Sequence, residues 1–542
     1  MLHWLRHYRR PLLAGDLSAG IVVAMMMIPQ GMAYALVAGL PPVVGIYASI
    51  APPLLYALFG SSMTQSVGPM AIISLMTGAA LAPLAPAGSA LYVVLAAQLA
   101  LLSGAMLLAA GMLRLGFLAN FLSRPVISGF SNGAAIVIVA DQVPALLGAA
   151  PPHWHGPSAL LGLGSMLVLW LAKAYLARLL RLCRLPAQLA DIGARLAPML
   201  LVLGGTLLVA TTDLARRGVR TTGQVPSGLP SLNLAFSQQH WHALLSPAGL
   251  IAFMIFLMSM SAAQTLAQKR NEKLRTNGEL LGLGAANLAS ALSGGFPVTG
   301  SISRSAVNFA AGANTPLASV ITALLLALAL MAPTGWLALL PLPVLAATII
   351  VAVAGMIETD VLRLAWIYDR SDALALLATT AGVLAFGVEA GVVIGVALST
   401  MALIWRASRP HIAVLGRIAG SEHFRNVERH AARTTPHILL LRIDSGLFFG
   451  NIDGVVARIE EELRGHADSR HLVLVLSAVN AIDSTALLGL IALNRTLAGR
   501  GIALHLAEVK GPVMDRLKKS ALLGELSGPV YLSTALACED LE

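Results

Sequence analysis

Charged residues are scarce in this chain of 542 residues: they make up 11% of it, whereas apolar residues make up 57%. Soluble domains carry roughly 25% charged residues, so a soluble globule of this length is excluded. Of the two cysteines, Cys183 lies in a basic stretch and Cys538 in the terminal tail. We therefore expect no disulfide framework, no metal site and no cofactor. The chain also lacks a Walker-type phosphate loop and a nucleophile–base pair, so no enzyme activity is predicted.

Long apolar runs fill the first 400 residues. The runs at 20–32, 91–112 and 373–404, for example, reach or approach the ~20 residues that span a bilayer. They lack the alternation of a barrel wall, so they predict α-helices, and the first is too long for a removable signal peptide. The sequence predicts about fourteen spans. Their expected positions are 17–37, 42–59, 67–83, 90–113, 126–147, 158–179, 195–212, 247–268, 279–294, 300–312, 316–333, 341–356, 373–388 and 390–407.

The net charge of +10 is distributed as in a membrane protein, not as in a nucleic-acid-binding one. Lysine and arginine cluster at the ends of predicted spans, as in 6–10, 173–184 and 269–275. With an even number of spans these clusters fall on one face, which the positive-inside rule makes cytoplasmic, together with both termini. The basic group at 216–220 falls on the other face, in a long loop where the rule is weak. Nucleic acid is therefore not an expected partner.

Two of the predicted spans contain helix-breaking residues at membrane depth. Residues 64–71 read TQSVGPMA and residues 296–304 read FPVTGSISR, each at the third span of its half of seven. Irregular backbone inside a bilayer is tolerated only where it is buried in protein or lines a cavity. Broken helices at matching places in two halves are typical of inverted-repeat transporters, in which half-helix N-termini point at an anion.

The composition changes after Arg409. Residues 1–408 form the predicted membrane domain, and we interpret 409–435 as a charged linker. From 436 to 542, buried strands alternate with helical patterns, which predicts a small cytoplasmic α/β domain.

Many short motifs resemble those of the SulP anion permeases, the sulfate permease type, in the order in which that family carries them. They are residues 29–35 (PQGMAYA), 38–42 (AGLPP), 45–49 (GIYAS), 60–62 (GSS), 68–69 (GP), 123–130 (SRPVISGF), 226–230 (PSGLP), 278–284 (GELLGLG) and 296–308 (FPVTGSISRSAVN). Near the C-terminus, residues 446–451, 480–486 and 508–512 resemble the STAS domain that such permeases carry. The resemblance covers nearly the whole chain.

The resemblance implies a polytopic α-helical membrane protein with a 7+7 inverted repeat, a core and a gate domain, and a cytoplasmic STAS domain. It implies a homodimer in the bacterial inner membrane, with a cytoplasmic regulator as a possible partner of the STAS domain. The implied function is transport of a small anion, such as sulfate, bicarbonate or a dicarboxylate, by alternating access. An anion channel or a voltage-responsive protein of the same fold is the alternative.

The resemblance also implies where the anion binds: at the starts of the third and tenth helices, below side chains of the first. The residues carried over are Gln30, Tyr34, Gly68, Pro69, Met70, Ala71, Ser301, Ile302, Ser303 and Arg304. Gln30 and Ser303 can donate hydrogen bonds, and Tyr34 can shape the cavity wall. Arg304 either attracts the anion or pairs with backbone carbonyls. The glycines can instead be interpreted as close-packing contacts between helices. Gln30 can be interpreted as a hydrogen-bond partner between helices, and Met70 as a residue that shapes the pocket.

One position departs from the family pattern. Where bacterial relatives carry Glu or Asp on the eighth helix, this chain has Met258. A carboxylate there can take up a proton or sodium, but a thioether cannot. Asp16, near the cytoplasmic surface, is a poor substitute. The substitution predicts uptake that is independent of sodium and responds little to a proton gradient.

Two further patterns have competing interpretations. Residues 153–155 and 240–242 both read HWH and could share a metal, but tryptophan at the membrane interface explains them as well. In the STAS-like region, residues 483–485 (DST) precede a helix, either as a helix cap or as a phosphorylation site.

Overall fold

The computed structural model of the protein describes residues 4, 8–117, 123–148, 154–183, 186, 190, 193–194, 196–232, 236 and 240–542. The chain divides into two compact units, Met1–Ser399 and Thr400–Glu542. Each unit is described by itself below.

The first unit is helical. The described helices that begin in it are α1 (Leu12–Val37), α2 (Pro42–Tyr47), α3 (Ala51–Phe59), α4 (Ala71–Leu81), α5 (Ala90–Met112), α6 (Arg124–Leu147), α7 (Gly156–Leu182), α8 (Ala197–Thr211), α9 (Trp241–Arg270), α10 (Thr276–Leu292), α11 (Ile302–Ala310), α12 (Leu317–Met331), α13 (Leu342–Ala354), α14 (Thr359–Tyr368), α15 (Arg370–Phe386) and α16 (Val388–Ser408), the last of which continues past Ser399. Two strands of two residues each, β1 (Val67–Gly68) and β2 (Thr299–Gly300), precede α4 and α11.

Within the described residues, seven helical stretches are long and apolar enough to cross a membrane, and shorter apolar helices accompany them. The expected span at 42–59 is divided into α2 and α3 by a turn at residues 48–50. Helix α14 was not predicted, because Asp360 and Arg363 keep this segment below the hydropathy of a span. The prediction of a helical membrane protein is confirmed.

Small residues let the central helices approach closely. Helix α10 packs along α5, and a Cβ on Gly104 would lie 3.0 Å from the carbonyl oxygen of Gly284. A Cβ on Gly284 would likewise lie 2.9 Å from the carbonyl oxygen of Gly104. Small residues at helix contacts are the usual means of close packing in membranes. This pair fixes α10, which carries side chains that reach the broken helices.

The second unit is an α/β domain with a mixed sheet. Its elements are β3 (Ile412–Ile418), β4 (Phe424–Asn426), β5 (Ala432–Arg433), β6 (Ile438–Ile443), α17 (Ile452–Gly465), β7 (His471–Val475), α18 (Ser484–Gly499), β8 (Ala503–Ala507), α19 (Gly511–Leu517), α20 (Leu522–Glu525), β9 (Val530–Tyr531) and α21 (Thr534–Leu541). The sheet order is β4-β3-β6-β7-β8-β9, with parallel pairing from β6 to β9 and antiparallel pairing of β3 with β4 and β6.

The segment expected to be a linker, 409–435, contributes the strands β3, β4 and β5 to this domain, so that interpretation is corrected. Strand β3 pairs with β6 from Ile412↔Ile443 to Val414↔Leu441. Ala413 and Leu415 are buried in the domain core. The sequence did not predict β3, because only some of its side chains are buried and charged residues follow it in the hairpin. The segment therefore lacks the continuous apolar run of a fully buried strand.

Candidate anion-binding site

The two chain breaks meet each other in the structure. Strands β1 and β2 pair antiparallel, with Val67 opposite Gly300 and Gly68 opposite Thr299, and all four residues are buried. The pairing satisfies backbone groups that a helix would otherwise satisfy, which is what a membrane interior requires. The breaks, 231 residues apart at Gly68 and Thr299, therefore form one structure.

Polar side chains complete the backbone hydrogen bonds around these strands. The N–H of Ser66 donates to Ser305 Oγ at 2.9 Å, and Asn308 Nδ2 donates to the carbonyl oxygen of Thr64 at 2.9 Å. Asn287 of α10 adds two more bonds to the backbone just before β2. The pair of strands β1 and β2, which we call the strand crossing, is thus held on both sides by side chains from elsewhere in the membrane unit. These contacts fix where α4 and α11 begin.

The two short helices differ at their N-termini. Ser301 caps α11, where its hydroxyl accepts from the N–H of Arg304 at 3.5 Å. Helix α4 has Met70 at the cap position, whose side chain makes no capping hydrogen bond. The first N–H groups of a helix have no partner within the helix and carry the positive end of its dipole. The N-terminus of α4 is therefore suited to bind an anion.

Arg304 is 1% exposed and pairs with a backbone carbonyl, one of the two roles that the sequence left open. Its Nη1 donates to the carbonyl oxygen of Pro69 at 2.6 Å, so the guanidinium contacts the backbone just before α4. Nε and Nη2 have no hydrogen-bond partner among the described residues. A Cβ on Gly68 would lie 3.4 Å from Nη2. Leaving charged donors unpaired in a buried place is costly, so two donors remain available to a ligand.

A cavity of about 410 Å³ lies beside this crossing. Gln30 and Tyr34 of α1 and Ser303 of α11 line it together, with residues of α7, α8 and α13 on the other walls. Ile302 is 45% exposed and is not part of the lining. The remaining predicted residues are buried and do not line the cavity: Gly68, Pro69, Met70, Ala71, Ser301 and Arg304.

Lys173 also lines the cavity, and the sequence interpretation missed this role. It lies on a π-helical turn, Ala172–Leu176, inside α7, and its Nζ is 3.5 Å from the position that a Cβ on Gly355 would take. The sequence placed it with the basic residues at the end of a span.

Met258 is 4% exposed on α9, the helix that contacts β2. Thr299 Oγ1 donates to the carbonyl oxygen of Ile255 at 2.9 Å, and Gln65 Nε2 donates to that of Ser259 at 3.0 Å. Asp16 is used elsewhere: its carboxylate accepts from the N–H groups of residues 314 and 315 and from the hydroxyl of Thr315.

The other patterns have structural roles. His155 is occupied through both ring nitrogens, with Ser158 Oγ and the carbonyl oxygen of Arg217, each at 2.8 Å, and His153 lies outside the described residues. Asp483 caps α18 by accepting from the N–H of Ala486, and this bond, together with one from the N–H of Phe449, lowers the pKa of its carboxyl. The cap interpretation of residues 483–485 is confirmed by this geometry.

Paired broken helices inside a helical unit with bilayer-spanning segments place the protein in the class of multi-pass membrane proteins. Residues 13–379 match the Sulfate permease family, and residues 429–537 match the STAS domain. The chain therefore belongs to the Sulfate permease family and carries a C-terminal STAS domain, as the sequence motifs predicted.

Similar proteins cover the chain almost entirely. The probable sulfate transporter MT1781 of Mycobacterium tuberculosis is 36% identical, over 96% of this chain and 94% of that protein. Sulfate transporter 4.1, chloroplastic, of Arabidopsis thaliana is 34% identical, over 97% of this chain and 79% of that protein. These relatives are named as transporters rather than enzymes.

Two solved structures share the fold. SLC26A9 superimposes with a TM-score of 0.87 at 21% identity, covering all of this chain and 93% of that one. The transmembrane domain of a cyanobacterium bicarbonate transporter, BicA, has a TM-score of 0.60 at 22% identity, and the match covers 72% of this chain and 98% of that one.

Proposed function

We propose that this protein is a secondary active or facilitative transporter that moves a small anion across the bacterial inner membrane by alternating access. The observation that carries the proposal is the buried guanidinium of Arg304, with two donor atoms that have no partner in the described part of the chain, beside the N-terminus of α4, which no side chain caps there. Its belonging to the Sulfate permease family, and the printed names of its relatives, favour sulfate as the first anion to test. Bicarbonate and dicarboxylates remain in the same class.

The geometry suggests how the anion binds. It would enter the cavity past Gln30, Tyr34 and Ser303 and then meet the N–H groups that open α4. Neutral donors and helix N-termini can replace the water around an anion without holding it as tightly as a direct salt bridge. Arg304 is already tied to Pro69 through Nη1, which keeps its remaining donors in place. Binding that is strong but not permanent suits a carrier.

The rest of the arrangement follows the family pattern. We propose fourteen spanning helices in two inverted repeats of seven, both termini in the cytoplasm, and a homodimer. The STAS domain would receive a cytoplasmic regulator. No sodium would bind at position 258, because Met258 offers a thioether where relatives carry an acid.

Tracer uptake into proteoliposomes tests the function. Purified full-length protein should take up radiolabelled sulfate in a saturable manner, and an excess of the transported anion should compete. Bicarbonate and a dicarboxylate, measured in the same vesicles, identify the substrate within the class. A conductance that does not saturate, in place of saturable flux, would favour the channel alternative. No flux of any tested anion, with folded protein in the vesicles, would refute anion transport.

A further inference from the structure

A depression of about 330 Å³ on the C-terminal unit is lined mainly by basic side chains. We call its cationic residues the basic patch: His411, Arg425, Arg429, His430 and Arg442. Asn426 and Asp444 complete the lining. The surrounding segment 409–433 contains five arginines and two glutamates, so positive charge is in excess around the depression as well as inside it. A surface of this kind attracts a ligand that carries negative charge.

The carboxylate of the depression is already occupied. Arg442 donates to Asp444 through Nε at 2.6 Å and through Nη2 at 3.1 Å. His411 Nδ1 contacts the second oxygen of the same carboxylate at 2.8 Å. Asp444 therefore fixes Arg442 and His411 in place and does not neutralise the other cations of the basic patch.

Arg425 and Arg429 are exposed, and no carboxylate of the described residues pairs with either of them. Arg425 reaches the carbonyl oxygen of Phe424 at 3.5 Å, and the side chain of Arg429 has no hydrogen-bond partner in the described part of the chain. A guanidinium presents parallel N–H donors that match the oxygens of a phosphate group. Two guanidiniums beside one depression are therefore suited to bind phosphate.

The basic patch lies close to the end of the last apolar helix. Helix α16 ends at Ser408, and His411 follows within three residues, which extend over at most about 10 Å. The end of this helix, from Thr400, belongs to the same compact unit as the sheet. Asn451 Nδ2 donates to the carbonyl oxygen of Ala407 at 3.3 Å, so the helix end is attached to the α/β domain.

The end of α16 has the features of a membrane interface. The side chains of Met401, Leu403 and Ile404 are each more than half exposed, as expected of apolar side chains that face lipid. Trp405 follows them, and the guanidinium of Arg409 lies 3.9 Å from the centre of its ring. Tryptophan is enriched at the level of the lipid headgroups, and basic residues flank apolar helices on the cytoplasmic side.

We propose that the basic patch binds the phosphate groups of anionic phospholipids at the surface of the membrane in which the helical unit lies. Arg425 and Arg429 supply the donors that face the headgroups. The attraction of basic residues to an anionic membrane falls off within a Debye length, about 8–10 Å, which is the reach of the short connection after α16. This connection favours lipid over an acidic protein, because it keeps the patch beside headgroups at all times.

Hydrogen–deuterium exchange of the full-length protein in nanodiscs tests lipid binding without any transport. One set of nanodiscs contains phosphatidylcholine alone, and the other also contains phosphatidylglycerol. Amides of residues 424–430 should exchange at least about fivefold more slowly in the anionic nanodiscs, the effect of one arginine at an anionic surface. High salt should remove the difference, because the attraction is electrostatic. Equal exchange in both nanodiscs would overturn the inference and leave an acidic protein as the occupant to test.

A matched pair of double variants assigns the effect to the basic patch. Arg425→Gln with Arg429→Gln removes the two available guanidiniums. Arg464→Gln with Arg470→Gln removes the same charge at the other edge of the sheet, where α17 ends and β7 begins. The slowing by phosphatidylglycerol should disappear in the first double variant and persist in the second. If it persists in both, another surface binds the lipid and the assignment is wrong.

Two further measurements separate the lipid from other causes. Exchange within β6 should be the same in all three proteins, which shows that the variants keep the fold of the domain. Inorganic phosphate added to the phosphatidylcholine nanodiscs should leave the exchange of residues 424–430 unchanged. The same slowing with phosphate alone would identify a site for a free anion and overturn the assignment to lipid.

Discussion

The two compact units both contain buried strands, but different groups complete the hydrogen bonds of their backbones. In the C-terminal unit, β6 and β7 pair along five residues, from Ile438↔His471 to Arg442↔Val475, and the ladder continues to β8. In the membrane unit, β1 and β2 pair along two residues, and side chains such as Ser305, Asn308 and Asn287 supply the remaining bonds.

The difference shows why polar residues in the membrane unit concentrate at one place. In a long ladder the strands satisfy each other's backbone hydrogen bonds, so only apolar side chains are needed around them. A two-residue pair inside a membrane leaves backbone groups without partners, so each missing hydrogen bond requires a polar side chain nearby. Those side chains, and the helix N-termini that the break exposes, are the same groups that an anion can use.

The largest expected effect is at Arg304. Arg304→Gln removes two donors available to the anion, and each hydrogen bond to a charged group contributes roughly 1.5–3 kcal/mol, so uptake should fall at least about a hundredfold. Arg304→Lys keeps the charge without the forked geometry and should retain part of the activity. Proteoliposome uptake, with size-exclusion chromatography as the folding control, measures both. Near-normal uptake by Arg304→Gln would show that the guanidinium serves only to hold Pro69.

The next effect concerns the sheet of the C-terminal unit. A fragment 410–542 contains β3 and should fold alone as a soluble, cooperative domain. A fragment 436–542 lacks β3 and β4, including the buried Leu415 and Phe424, and should be less stable by roughly 3–6 kcal/mol, since each buried large apolar side chain contributes about 1.5–3 kcal/mol. Urea unfolding followed by circular dichroism compares the two. Equal stabilities would return 409–435 to the status of a linker.

A smaller effect is expected at the cavity wall. Gln30→Ala or Ser303→Ala should weaken apparent affinity by about tenfold to a hundredfold, the value of one hydrogen bond to a charged group. Thr211→Ala is a suitable control, because its exposed hydroxyl bonds only to its own helix. Competition of tracer uptake by unlabelled anion gives the affinities. If neither variant differs from the control, the anion does not contact these side chains.

The smallest effect is expected from sodium. Because position 258 carries a thioether, replacing sodium by potassium at clamped membrane potential should leave uptake unchanged. Met258→Glu places an acid where relatives carry one and could create cation sensitivity, although an unpaired carboxylate at this depth can instead protonate. Uptake is measured with the sodium gradient varied and the pH held constant. A strong sodium dependence of the unmodified protein would place a cation site elsewhere.

The sequence by itself determined the membrane character, the α/β domain and the position of both chain breaks. Each of these has a local signal: a long apolar run, strands alternating with helices, or glycine and proline inside an apolar segment. Ten candidate site residues followed from the motifs, and three of them, Gln30, Tyr34 and Ser303, line the cavity together.

Only the tertiary structure decided which side chains meet across the breaks. Arg304 contacts Pro69 over a separation of 235 residues, and Tyr56 contacts Glu279 over 223. Strand β3 joins the sheet although its neighbours in sequence are charged. Contacts of this kind depend on how the helices and strands pack. The packing depends in turn on side-chain shapes and on hydrogen bonds contributed by segments that are distant in sequence. No local pattern in a single sequence records such contributions, which is why these contacts emerged from the structure alone.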